Sequence, residues 1–482
     1  MKLYSENKEY KLYNGSMLDM LEVIEPNSID SIITDPPYEL NFMNKGWDNS
    51  GIAFNKDTWK KCYDVLKPGG YLLAFGGSRT FHRIAYAIED AGFEIRDTIM
   101  WLYGSGFPKS MNIGLALDKR NGVKGEQYID EEFLKRNPNK LKYDESINNG
   151  FKDGVEGAIR YKATNQWDGW GTCLKPAYEP IIVARKPVEK SIIDNVVKYG
   201  VGGINIDECR VKLEICDNKD LRIIHRSGKL EEGVFNSNNC GLTTEDDVQV
   251  LKENGRFPAN VILTYDESDF EEVCGGMPNT NGGTRHNVAI RQSNKNSGYG
   301  YDINTRNEYD DEGSASRYFY CAKASKFDRD EGLDEIQATT DKAKGNGLGR
   351  VCEFCGAPQL KPELCKCEVK SWVLPARKNV HPTVKPTDLM RYLVRLVSPK
   401  GATILDCFNG SGSTGKAVML ENKQYNKDYK YIGIELTDEY LPISKARIEY
   451  ICNNEFEFYT DKKDIVKRST IQKGIQLTID DM

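Results

Sequence analysis

Apolar residues recur along the first hundred positions in two alternating rhythms. Ile29-Asp30-Ser31-Ile32-Ile33 is a short, largely apolar run that predicts a strand leading into Asp35. Ile52 to Leu66 has helical spacing and closes at Lys67-Pro68-Gly69-Gly70, read as a turn that feeds the apolar strand Tyr71 to Phe75. A helix over Thr80 to Ala91, ended by Gly92, leads to a strand over Phe93 to Leu102. Such alternation predicts a parallel sheet covered by helices. The same pattern returns late in the chain. A helix over Pro386 to Val397, a strand over Ala402 to Leu405, a glycine-rich turn, a helix over Gly415 to Glu421 and a strand over Tyr431 to Glu435 follow one another. Residues 438 to 452 read as a further helix.

Between these blocks Gly, Asn and charged residues dominate, with strand-like pieces such as Pro180 to Ala184 and Asn260 to Leu263 scattered among them. The expected organisation is therefore two halves of one sheet, 1–110 and 372–455, separated by an insertion over 111–340 and a Cys-rich island over 341–371. A charged tail occupies 456–482, and there is no internal repeat.

Composition narrows the class. With 482 residues, 39% of them hydrophobic, the chain is long enough for a large core plus added modules. No apolar run approaches the ~20 residues that span a bilayer. Met1 to Lys8 lack the apolar core of a signal peptide, so the expectation is a cytoplasmic protein with no membrane partner. Lys and Arg number 66 against 72 Asp and Glu, a net charge of −6, which argues against a basic nucleic-acid coat but not against an enzyme with a local basic groove. Thirteen cysteines in such a chain point to reduced thiols and a metal site rather than a disulfide framework. Cys352, Cys355, Cys365 and Cys367 are the candidate ligands of a structural Zn²⁺ knuckle, since tetrahedral thiolates suit that ion.

Two short motifs carry candidate chemistry. The strand ending at Asp406 runs through Cys407-Phe408-Asn409-Gly410-Ser411-Gly412 into a helix starting near Ser413 and Thr414. Glycines let the backbone approach a nucleoside-bearing ligand, and the helix start offers unpaired N–H groups. After the next strand, Glu435 stands where an acid would accept hydrogen bonds from both ribose hydroxyls. The rival reading is a phosphate loop, because Gly410 to Lys416 matches G-x-x-x-x-G-K. Ala417 then stands where Ser or Thr would hold Mg²⁺, which argues against an NTPase.

The other motif is Asp35-Pro36-Pro37-Tyr38. An exocyclic amine on a nucleobase is a poor nucleophile because its lone pair is delocalised into the ring. Acceptors aimed at its hydrogens free that pair. Asp35 supplies a carboxylate, Pro36 a carbonyl, and two prolines make a rigid turn with no competing N–H. Tyr38 can stack on a base that has left the duplex. Trp101 and Tyr103 either wall that base or pack in the core.

With these residues in place, the chain resembles S-adenosylmethionine-dependent DNA amino-methyltransferases of the N6-adenine/N4-cytosine family, specifically the permuted beta group and its phage-like members. The likeness covers residues 11 to about 110 and 372 to about 450, with echoes at Gly106 to Ser110, Leu174 to Pro180, Gly255 to Asn260 and Lys323 to Lys326. It implies a Rossmann-like class I methyltransferase sheet of α/β class, circularly permuted with the catalytic half first. It also implies a large target-recognition insertion and S-adenosylmethionine as cofactor. In that family a stretch like His381-Pro382-Thr383-Val384-Lys385-Pro386 helps hold the methionine end of the cofactor, which implicates His381, Thr383 and Lys385. The family often has Gly-Asp where this chain has Gly15-Ser16, so Ser16 is the candidate for the adenine contact. Asp-Pro-Pro-Tyr, rather than Ser-Pro-Pro-Tyr, favours adenine N6 in flipped-out duplex DNA over cytosine N4. A homodimer and a paired restriction nuclease remain open, and a non-catalytic nucleic-acid-binding module is the alternative from another class.

Overall fold

The computed structural model describes residues 2–40, 46–103, 110–131, 159–211, 255–264, 279–280, 313–314, 320–321, 326–336, 351–352, 372–373 and 378–456. Contacts divide the chain into one unit of Met1–Leu102 with Tyr178–Met482 and another of Tyr103–Ala177.

One ten-stranded sheet organises the larger unit. Its strands in chain order are β1 (Lys2–Glu6), β2 (Tyr10–Asn14), β3 (Ile29–Thr34), β4 (Leu66–Phe75), β5 (Glu94–Tyr103), β6 (Tyr178–Arg185), β7 (Val261–Thr264), β8 (Tyr320–Cys321), β9 (Thr403–Asp406) and β10 (Lys430–Glu435). In space they run β1-β2-β10-β9-β3-β4-β6-β5-β7-β8. Neighbours from β2 through β4 are parallel, and β6 lies antiparallel between β4 and β5. The α/β class and Rossmann-like sheet expected from the sequence are therefore present. Among the described residues the helices are α1 (Met17–Leu21), α2 (Lys56–Val65), α3 (Phe81–Asp90), α4 (Ile113–Arg120), α5 (Ile192–Tyr199), α6 (Lys326–Asp330), α7 (Thr387–Val397), α8 (Ser413–Tyr425) and α9 (Leu441–Asn453).

All six residues of β3 are buried, which is why it reads as a run rather than an alternation. Successive side chains leave a strand on opposite faces. Ile32 therefore packs with Trp59 and Cys62 of α2 and Ile84 and Ile88 of α3, while Ser31 reaches Ser398 at the end of α7, Oγ to Oγ at 2.7 Å. Trp59 is fully buried with its indole N–H on the Ala53 carbonyl at 2.9 Å, so truncating it to Ala would cost about 3–5 kcal/mol.

One local reading changes, and two strands find places in the sheet that the sequence did not assign. Lys67 to Gly70 lie inside β4 as a bulge, where the register steps from Ile29↔Leu66 to Ser31↔Tyr71. Gly69 makes this feasible: its φ is +78°, and a Cβ there would lie 2.2 Å from Asn195 Nδ2. The apolar piece Pro180 to Ala184 is the buried middle of β6, paired on both edges. And β2 takes a place beside β10 that no sequence pattern marked.

The smaller unit holds α4 and an antiparallel ribbon of Glu126–Ile129 with Ile159–Lys162. The buried Asp118 at its centre accepts the Thr164 N–H and the Asn165 side-chain amide, both at 2.7 Å.

Candidate active site

Because β3 and β9 are parallel neighbours, with Ile404 opposite Ser31 and Leu405 opposite Ile32, their carboxyl ends open side by side. The two sequence motifs meet there. Thr34 donates its hydroxyl to Asp406 Oδ1 at 2.7 Å, and Thr414 at the start of α8 donates to Oδ2 at 2.6 Å. The Phe408 N–H adds a third bond to Oδ1 at 3.1 Å. Burial pushes the Asp406 carboxyl up to about 6, against the bonds from Thr414, Thr34 and the Phe408 N–H. Asp406 thus pins β3, β9 and α8 together.

One residue beyond Thr34, Asp35 meets a charged cluster drawn from distant parts of the chain. Lys385 donates to Asp35 Oδ2 at 2.6 Å and lies 3.4 Å from Glu179 Oε2, itself the acceptor of the Tyr38 hydroxyl at 2.7 Å. The Lys385 side chain is only 8% exposed, against 21% for Asp35 and 20% for Glu179. Its ammonium sits 5.0 Å from the centre of the Phe75 ring and 5.3 Å from that of Tyr38. Burial works against the ammonium, yet Asp35 and Glu179 outweigh it and hold its pKa above the ordinary value. Burial also raises Asp35, with Lys385 opposing and Glu179 adding to the rise. Asp35 Oδ1 is buried and accepts no hydrogen bond from a described residue. Most buried polar atoms have such a partner.

The turn itself is rigid. Pro36 and Pro37 are buried, and the Tyr38 carbonyl accepts the Thr80 hydroxyl at 2.8 Å. A Cβ on Gly77 would lie 3.2 Å from the Tyr38 ring, so the loop after β4 backs that ring closely.

On the other side, Gly410 and Gly412 take φ of +50° and +75°, and α8 begins at Ser413 with no side-chain cap. Glu435 ends β10, 8% exposed, accepting the Gly410 N–H at 2.6 Å and the Thr437 N–H at 2.8 Å. Burial raises its pKa against those N–H bonds. His381 lies over the loop, where a Cβ on Gly410 would be 2.8 Å from its Nε2. Burial, with Lys385, Arg329 and Arg447 nearby, lowers His381 to about 3, so it is neutral. Ser413 donates to the Lys385 carbonyl at 3.0 Å and accepts from the buried Arg447. Thr383 is exposed.

Ser16 caps α1 by accepting the Leu18 N–H at 3.2 Å; Gly15 beside it bonds the Glu435 carbonyl at 2.9 Å, which brings Ser16 near the end of β10. Trp101 is buried and donates to Thr264 at 2.8 Å. Lys416, the lysine of the phosphate-loop reading, is 1% exposed and pairs with Asp328 at 2.6 Å and Glu331 at 2.7 Å. Its ammonium is committed to those carboxylates. Cys355, Cys365 and Cys367 lie outside the described residues, as does the Cys352 side chain; Val351–Cys352 form a short strand against Trp372–Val373. Among the described residues no helix is long and apolar enough to cross a membrane.

Sequence reasoning missed the role of Glu179. Leu174 to Pro180 had drawn notice as a whole, but only the antiparallel placement of β6 shows that Glu179 faces Asp35 and Tyr38.

The profile of the DNA methylase family of N6 and N4 enzymes matches residues 29–446. The type II methyltransferase M2.LlaDCHI of Lactococcus lactis subsp. cremoris is 27% identical over 234 residues, 42% of this chain and 82% of that protein. M2.DpnII of Streptococcus pneumoniae is 26% identical over 232 residues, 42% of this chain and 81% of its own. Among solved structures, the cytosine-N4-specific PvuII DNA methyltransferase aligns over 100% of both chains at 13% identity, with a TM-score of 0.38.

Proposed function

The chain belongs to the S-adenosylmethionine-dependent DNA methylases that modify exocyclic N6 or N4 amines, and from that premise we propose that it methylates N6 of an adenine extruded from duplex DNA. The observation that carries this reading is the meeting of both motifs at adjacent strand ends, where the Thr34 hydroxyl bonds Asp406 at 2.7 Å. Ligands of open α/β sheets bind at the carboxyl ends of the strands.

The groups present fit an adenosyl sulfonium ligand. Main-chain N–H groups orient the Glu435 carboxylate, whose remaining lone pairs suit ribose hydroxyls. The side-chain-free Gly410 allows close approach, and the uncapped start of α8 offers N–H groups to a carboxylate. We place Ser16, Phe408, Gly412, His381 and Thr383 around this ligand. Lys385, paired with Asp35, belongs with the catalytic carboxylates.

When bound, the cofactor supplies a methyl group on a cationic sulfur. The protein's part is positioning and electrostatics. Asp35 Oδ1 is the acceptor for one amine hydrogen and the Pro36 carbonyl for the other, which frees the nitrogen lone pair. Tyr38 stacks on the base. Positive charge grows on the amine nitrogen during transfer, and two carboxylates against one ammonium leave the cluster net anionic at that point.

Adenine is the base implied by Asp35 in the tetrapeptide. In this reading the motif order is a circular permutation, and residues 111–340, apart from the strands β6, β7 and β8 that they lend to the sheet, supply target recognition. The test is nucleoside mass analysis of unmethylated DNA incubated with S-adenosylmethionine and either wild type or Asp35→Ala. N6-methyladenine from wild type alone is expected. N4-methylcytosine would overturn the base assignment, and no methylated base despite cofactor binding would overturn the function.

A further inference from the structure

Glu179 belongs to neither motif, yet three features of its setting point to the transfer step. It is held at the start of β6, where Trp101 and Leu102 of β5 pair with Glu179 and Tyr178. Its Oε2 accepts the hydroxyl of Tyr38 at 2.7 Å, which sets the height and tilt of the ring proposed to stack on the base. The same oxygen lies 3.4 Å from Lys385 Nζ, while Asp35 Oδ2 lies 2.6 Å from it. An ammonium has three donors and no acceptor. Shared between two carboxylates, it draws less completely on either, and Asp35 keeps Oδ1 without a bond from a described residue.

We propose that Glu179 is a positioning residue of methyl transfer: by holding the Tyr38 hydroxyl and sharing the Lys385 ammonium, it keeps Asp35 Oδ1 open for the target amine. This rests on the methyltransferase reading above. In this proposal Glu179 acts through Tyr38, Lys385 and Asp35. No proton need pass through it.

The charge of Glu179, beyond its shape, is what the inference requires. Among the described residues, the charged and titratable groups around Asp35 are Lys385, Glu179, Tyr38 and, across β9, Asp406. Replacing Glu179 by Gln keeps the size of the side chain and an oxygen for the Tyr38 hydroxyl. It removes one negative charge from the neighbourhood of Asp35, so the Asp35 carboxyl ionises more readily and Lys385 bonds it alone.

The experiment is single-turnover methyl transfer from S-adenosylmethionine to DNA as a function of pH, for wild type, Glu179→Gln and Glu179→Asp. Cofactor binding is measured on each by calorimetry. For Glu179→Gln the plateau rate should fall about 10- to 100-fold, the scale of a small misplacement in a preorganised site. Its acid limb should move to lower pH, and its cofactor affinity should stay at the wild-type value. Glu179→Asp should return the acid limb towards its wild-type position and recover part of the rate. The position of the limb does not depend on how much of a preparation is folded. An unmoved limb and a wild-type plateau in Glu179→Gln would overturn the proposal. So would a loss confined to cofactor affinity. Absence of transfer by wild type itself would instead overturn the reading beneath it.

Discussion

Lys385→Met removes the cation that pairs with Asp35 and Glu179 while keeping a side chain of similar length. At an effective dielectric of about 20, an ammonium at the observed separations attracts Asp35 by about 6 kcal/mol and Glu179 by about 5 kcal/mol. Most of that gross attraction is offset by the desolvation of the buried ammonium. The measured cost of breaking a buried pair by removing one partner is about 3–5 kcal/mol. Both carboxylates keep roughly a fifth of their side-chain surface exposed, so water relieves part of their loss and the lower end, about 3 kcal/mol, is expected at neutral pH. The pH dependence has a definite sign. Burial already raises Asp35, and Glu179 adds to the rise. Without the ammonium both effects act unopposed, so the folded variant holds a proton that the unfolded chain has released. Its deficit against wild type should therefore be largest at neutral pH and shrink as pH falls through the raised Asp35 pKa. In the proposed reaction methyl transfer needs the carboxylate, so its acid limb should move to higher pH, opposite to the shift in Glu179→Gln. Denaturant unfolding across the acid range and single-turnover rates on the same preparations check both effects. Wild-type stability with an unmoved acid limb would refute the claim that Lys385 sets the charge of Asp35.

The remaining predictions concern the cofactor side. Glu435→Ala should weaken S-adenosylmethionine binding about 10- to 100-fold, since a hydrogen bond to a charged acceptor contributes about 1.5–3 kcal/mol; calorimetric titration measures it, and unchanged affinity would remove Glu435 from the ribose site. Gly410→Ala should destabilise the protein by about 1–3 kcal/mol in denaturant unfolding and weaken cofactor binding, because φ is +50° there and the added Cβ would press on His381 Nε2 at 2.8 Å.

Much of the scaffold was legible because it is local. Residues 29–33 and 402–405 announce strands by short, largely apolar runs, and the glycine-rich turn announces a close-approach loop by residues that tolerate positive φ. The bulge at Lys67 to Gly70 was misread as a turn, since Pro-Gly-Gly signals a reversal and only the carbonyl of Lys186 and the side chain of Asn195 show the strand continuing. Lys416 drew a phosphate-loop reading because its spacing matches; nothing in that spacing reveals Asp328 and Glu331, which fold over from 88 and 85 residues earlier in the chain.

The sequence by itself determined the sheet class, the two motifs and the chemistry each can support, because strand pattern, turn residues and acceptor-only geometry are properties of a few consecutive residues. Tertiary structure alone decided who stands beside whom. Thr34 meets Asp406 across 372 residues, Lys385 meets Asp35 across 350, and Tyr38 meets Glu179 across 141. Such pairings follow from strand order and register, which depend on how the whole sheet buries its two faces. No short window of sequence contains that information.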